Sequence, residues 1–152
     1  MSSWVKKYNW VERYKSKARK MRWAGLALLL VTIFSYVLFF VAIGNGYVGD
    51  DTWYIPVLLL ILPCLVGFPA SILMLCTKVV HRKYNGSHIC FYIAPIKNYL
   101  IIDDEIQYEG GSGTRYYYGQ LPDGTDVAVK MTIWGDVKFA MGSTNNIGIS
   151  FF

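Results

Sequence analysis

Two uncharged apolar runs, Ala24 to Ile43 and Ile55 to Thr77, constrain this chain more than any other feature. They hold 20 and 23 residues with eleven between them, and a hydrocarbon slab about 30 Å thick needs about 20 helical residues at 1.5 Å rise each. Neither run has the polar face that a soluble helix turns to water. The expectation is a membrane α-helical hairpin of two transmembrane helices. A cleaved signal peptide is the rival for the first run, with Ala42 and Gly44 as a small-residue cleavage site. That run exceeds the usual 7–15 apolar residues, roughly, of a signal, and its basic flank is over twenty residues long, so it reads as a retained span.

The charges orient the hairpin. Lys6, Lys7, Arg13, Lys15, Lys17, Arg19, Lys20 and Arg22 precede the first run against Glu12 alone, and Lys78, Arg82 and Lys83 follow the second. The loop from Gly44 to Tyr54 carries Asp50 and Asp51 and no cation. Positive charge stays on the cytoplasmic side, so both termini are expected there, in a bacterial-type plasma membrane, the cell inner membrane. Trp23, Tyr47, Trp53, Tyr54 and Tyr84 fall near the run ends, where amphipathic rings prefer the headgroup layer.

Residues 1–23 form a basic arm ahead of the first span. At helical period Trp4, Tyr8, Val11 and Ala18 share a face, which predicts an amphipathic juxtamembrane helix. Lys15, Lys17, Arg19, Lys20 and Arg22 are the candidate lipid headgroup contacts, each worth on the order of 1 kcal/mol at a charged leaflet; the plainer reading is that they fix topology.

The second run carries Pro56, Pro63 and Pro69. The first lies in the opening turn, whereas Pro63 and Pro69 remove donors mid-helix and predict a kink or local unwinding. Cys64, Gly67 and Ser71, at i, i+3 and i+7, form a small-residue face suited to close helix packing, with Thr32 and Ser35 as polar counterparts on the first span. Neither run holds an ionisable residue, which argues against a proton relay. The three cysteines, Cys64, Cys76 and Cys90, lack the spacing of a metal site or a disulfide scaffold and read as small buried residues.

A linker, residues 78–87, leads into a tail whose periodicity becomes alternating from His88 onward. Turns at Asp103-Asp104, Pro122-Asp123-Gly124, Gly135-Asp136 and Asn145-Asn146 separate six or so short strands, the last running through Ile147, Ile149 and Phe151. Val127, Val129, Ile133 and Phe139 should point inward. The expectation is a small antiparallel all-β domain over 88–152, an SH3-like or OB-like barrel or meander. A hairpin followed by a cytoplasmic β-domain resembles, in layout alone, small bacterial membrane proteins with PH-like domains and the OB-bearing NfeD-type proteins. The Gly119 to Gly124 segment is generic turn chemistry and assigns no family.

Candidate chemistry in the tail is thin. Gly110 to Thr114 lacks the Lys-Ser/Thr ending and following helix of a phosphate loop; Asp103, Asp104 and Glu105 lack the ligand spacing of a calcium loop. His81 and His88 stand in no recognisable catalytic motif. No catalytic, cofactor-binding or metal-binding residue is assigned and no cofactor is expected. The run Arg115-Tyr116-Tyr117-Tyr118 is the candidate partner-binding face, because tyrosine and arginine are enriched at interfaces. A nucleic-acid partner is not expected, since the tail is acidic. The expected role is that of a non-catalytic accessory, regulatory or immunity-type interaction module, bound to membrane lipids and to another membrane protein or itself. The alternatives are a subunit of a homo-oligomeric channel or transporter and, third, a membrane enzyme acting on lipid.

Overall fold

The computed structural model describes residues 3–46, 54–111, 113–132 and 135–142. The chain divides into two compact units, Lys20–Leu75 on the one hand and Met1–Arg19 with Cys76–Phe152 on the other. Helix α1 (Ser3–Gly44) supplies residues to both. Tyr47, Trp53, Asp50 and Asp51 of the expected loop, Ile133, and the expected Asn145-Asn146 turn with its Ile147, Ile149 and Phe151 strand lie outside the described residues.

In the first unit, α1 ends where Asn45 and Gly46 cap it. The Asn45 side-chain amide donates to the Val41 carbonyl at 2.9 Å, and Gly46, at φ +67°, donates its backbone N–H to Ile43. Gly supplies the left-handed conformation cheaply, so helix-end carbonyls find donors. The stretch Trp10–Gly44 is long and apolar enough to cross a membrane, with little of it buried. The second run is no single α-helix. It comprises α2 (Tyr54–Leu62), a π-helical turn (Pro63–Gly67) and α3 (Phe68–Leu75). Missing proline donors and ring clashes explain the wider turn between Pro63 and Pro69. Helix α3 stops at Leu75, short of the expected Thr77, which is buried in the other unit.

The small-residue face packs on α1. A Cβ on Gly67 would lie 2.6 Å from Thr32 Oγ1, and one on Gly25 2.8 Å from Met74 Cβ. Tyr36 and Cys64 share a hydrogen bond. Thr32 and Ser71, both buried, donate to the Leu28 and Phe68 carbonyls at 2.9 and 2.8 Å, so neither hydroxyl is stranded.

The other unit is built from β1 (Lys78–Tyr84), β2 (Ser87–Ile93), β3 (Lys97–Ile102) and β4 (Glu105–Gly111) in one antiparallel sheet and β5 (Tyr116–Gln120), β6 (Asp126–Met131) and β7 (Val137–Gly142) in a second. Of the expected barrel or meander, the described residues form two small antiparallel meanders and no closed barrel, and the expected linker 78–87 is strand β1 and its turn. Asn85 and Gly86, at φ +46° and +83°, make the two-residue β1–β2 hairpin whose twist suits flanking strands. Asp103 and Asp104, at φ +48° and +75°, do the same between β3 and β4.

Ile89, Phe91, Leu100 and Ile102 of the first sheet meet Tyr117, Leu121, Val127, Val129 and Phe139 of the second in the main core. Val127, Val129 and Phe139 are thus inward, as the alternation predicts. The opposite face of the first sheet is covered too. Trp10, Val11 and Ala18 of α1 bury Cys90, Tyr92 and Ile101 in a second core, with Tyr14 packed against it. Covered on both faces, β2 is buried through its whole middle, which explains why Ile-Cys-Phe-Tyr-Ile is apolar without alternation.

Candidate functional site

Strand β5 sorts the three tyrosines by pleat. Tyr117 points into the main core and is fully buried. Its hydroxyl accepts from Asn98 Nδ2 at 2.9 Å and donates to the Gly111 carbonyl at 3.3 Å, and its ring stands edge-on to Phe91 with centroids 4.7 Å apart. Tyr117 thus leaves the expected partner face and becomes a core residue. Its hydrogen bonds remove the cost of burying a phenol.

Tyr116 and Tyr118 project from the other side, 41% and 56% exposed, and Arg115 before them is exposed. Lys130, opposite Tyr116 across the β5–β6 ladder, holds its ammonium 5.6 Å from that ring's centroid. Lys138 pairs with Lys130 on the next strand, and Ala128 pairs with Ala140, both buried. That side of the second sheet therefore carries two phenol rings with Lys130 and Lys138 beside them. That arrangement can stack on and hydrogen-bond a planar or acidic partner surface.

The arm's cations stand on the outside of α1. Lys15 pairs with Glu12 at 2.9 Å, and Lys17 lies 5.9 Å over the Tyr92 ring. Arg19, Lys20 and Arg22 are exposed. Of the expected apolar face, Val11 and Ala18 are buried, and what they cover is the chain's own sheet. Trp10 and Tyr14, absent from that expected face, complete the contact through a ring series: Trp10 edge-on to Tyr14 at 6.2 Å, Tyr14 to Tyr92 at 5.6 Å, Tyr92 stacked on Tyr99 at 6.0 Å. Burial pushes the Cys90 thiol up to about 12, which keeps it protonated and unreactive.

His81 and His88 meet across the β1–β2 hairpin, Nε2 to Nδ1 at 2.9 Å with rings nearly parallel and 5.1 Å apart. Such a contact needs at least one neutral ring to accept the proton. Desolvation, then His88 and Lys15, hold His81 below its ordinary value, with Glu12 opposing. Asp103 Oδ1 accepts the His88 backbone N–H at 3.1 Å, so the aspartate serves the turn. Among the described residues no group of three His, Cys, Asp or Glu could hold a metal ion. Gly110 lies against Tyr117 and Thr114, where a Cβ would come within 2.9 Å of the ring.

No family model, no curated protein and no solved structure matches this chain.

Proposed function

We propose that this chain is an integral membrane hairpin with both termini in the cytoplasm of a bacterial-type cell, acting without catalysis as an accessory, regulatory or immunity-type module that binds another membrane protein. One observation carries the membrane part of that reading. The described residues of Lys20–Leu75 expose many large apolar side chains, among them Leu30, Phe34, Phe40, Leu65 and Phe68, and exposed apolar surface of that extent fits a lipid environment. The sides given to the loop and the termini rest on the distribution of Lys and Arg. The partner is assigned to the Tyr116 and Tyr118 face of β5, whose rings are exposed with no core role, with Arg115 exposed just before the strand.

A homo-oligomeric channel is the second reading, favoured by the π-helical turn at Pro63–Gly67, since such turns recur at functional sites. Light scattering on the complex purified in mild detergent separates the two. The accessory reading expects a fixed stoichiometry with a second protein, lost in the Tyr116→Ser/Tyr118→Ser variant. A homo-oligomer that conducts ions in planar bilayers would replace it with the channel.

A further inference from the structure

The turn Asn85-Gly86 fixes the register of the first hairpin, and the register decides which side chains share a face. His81 stands opposite Cys90 and His88 opposite Lys83. Cross-strand partners and next-but-one neighbours project from the same side of a sheet. Both histidines therefore lie on the side that the arm covers, because Cys90 and Tyr92 of that side are buried beneath Trp10, Val11 and Ala18. His88 is buried there and His81 half-buried.

The ring contact accommodates one added proton and not two. Its hydrogen bond, Nε2 to Nδ1 at 2.9 Å, needs a donor on one ring and a lone pair on the other, and a first added proton leaves both in place. A second makes both nitrogens donors and sets two positive rings in contact. The rings must then part. The charged groups around them do not absorb the excess. Glu12 of α1 faces His81 but is held by Lys15 at 2.9 Å, with Arg19 also acting on that carboxylate. Lys83 of β1 stands opposite His88, Cys90 opposite His81 is a neutral thiol, and Asp103 of the β3–β4 turn accepts the His88 backbone N–H. The layer above the pair is also held less completely than the main core. Trp10 Nε1 and the Tyr92 hydroxyl are buried in the second core with no hydrogen-bond partner among the described residues, whereas the Tyr117 hydroxyl of the main core has two. Lifting the arm lets both stranded groups regain hydrogen bonds to water.

We propose that the His81–His88 pair is a proton-operated latch, whose double protonation releases the arm, residues 10–19 of α1, from the first sheet while the main core stays closed. Release uncovers Trp10, Val11 and Ala18 on the arm and Cys90, Tyr92 and Ile101 on the sheet. The two rings titrate as a coupled pair. Burial, then His88 and Lys15, hold His81 below its ordinary value, so the second proton arrives in the acid range and the latch is shut above it.

The test uses the full chain in mild detergent with Cys64→Ala and Cys76→Ala, which leaves Cys90, fully buried beneath the arm, as its single thiol. Dithiodipyridine reacts with thiols in acid as well as at neutrality, and each rate is divided by that of the guanidinium-unfolded chain at the same pH. Between about pH 7.5 and pH 5 the ratio should rise on the order of tenfold, the effect of one proton whose pKa differs by a unit between the closed and open forms. With His81→Gln/His88→Gln added, it should stay flat. Hydrogen exchange over β1 and β6, read by mass spectrometry and corrected for the intrinsic effect of pH, should remain slow throughout. A constant ratio in the parent chain, or an equal rise in the histidine variant, would overturn the latch. So would a rise accompanied by fast exchange in β6, which means unfolding of the whole unit, or in β1, which means that the edge strand lifts and the arm does not.

Discussion

At Gly67 a Cβ would stand 2.6 Å from Thr32 Oγ1, and that hydroxyl is already committed to the Leu28 carbonyl. Gly67→Leu should therefore force the helices apart and cost about 1–3 kcal/mol, seen as an earlier thermal transition in detergent, whereas Leu60→Ile should cost less than about 1.5 kcal/mol. Equal transitions would show that the close approach is not limiting. His81 gives the pH counterpart. Its folded value lies below the ordinary 6.5, so its contribution to stability is complete above that value and declines as pH falls through it, when the unfolded chain takes up the proton first. The charged groups around the pair are Glu12 and Lys15 from α1 and Asp103 from the β3–β4 turn. Denaturation midpoints should drop between about pH 7 and pH 5, and His81→Gln should flatten that slope. An unchanged slope in the variant would remove the histidine pair from the account. The stripe Cys64, Gly67, Ser71 was legible from spacing alone. Which tyrosine of Tyr116 to Tyr118 faces inward was not, because alternation defines two faces without saying which one a second sheet will cover.

The arm shows the same limit one level up. Its helical character follows from sequence, but its partner does not, because an apolar face fits a membrane surface and a protein surface equally well. The discriminating signal lay elsewhere, in β2: Ile89 to Ile93 is apolar at successive positions, and a strand apolar on both faces needs a cover on both. Asn85-Gly86, the strongest short hairpin signal in the chain, likewise marks β1 within what composition alone reads as a linker. The strands and turns from Asp103 to Gly142 were otherwise readable, since alternation and turn residues agree there. Barrel closure was not, being a matter of how two sheet edges meet. If the arm is a structural layer, Trp10→Ala should remove about 3–5 kcal/mol, comparable with the whole stability of a small domain. A peptide spanning residues 3–19 should bind a fragment of residues 76–152 with a blue shift of tryptophan emission. A stable, dye-excluding fragment indifferent to the peptide would show that the second core is dispensable.

For the whole molecule, the proposed topology makes a prediction in intact cells. In a chain with Cys64 and Cys76 replaced by alanine, a cysteine at Gly49 should react with an impermeant thiol reagent, and one at Ser3 or Ser143 should not. The opposite pattern would invert the assignment. The second core also has a temporal meaning. Trp10 and Ala18 pack against Tyr92 and Ile101, so the two halves of that contact leave the ribosome far apart in time. At roughly 5–20 residues per second the arm waits about 5 to 20 seconds for its sheet. Throughout that interval both apolar runs are synthesised while Trp10, Val11 and Tyr14 stay uncovered, so a nascent chain stalled before Ile101 offers chaperones and the lipid surface a sticky helix that the finished protein conceals.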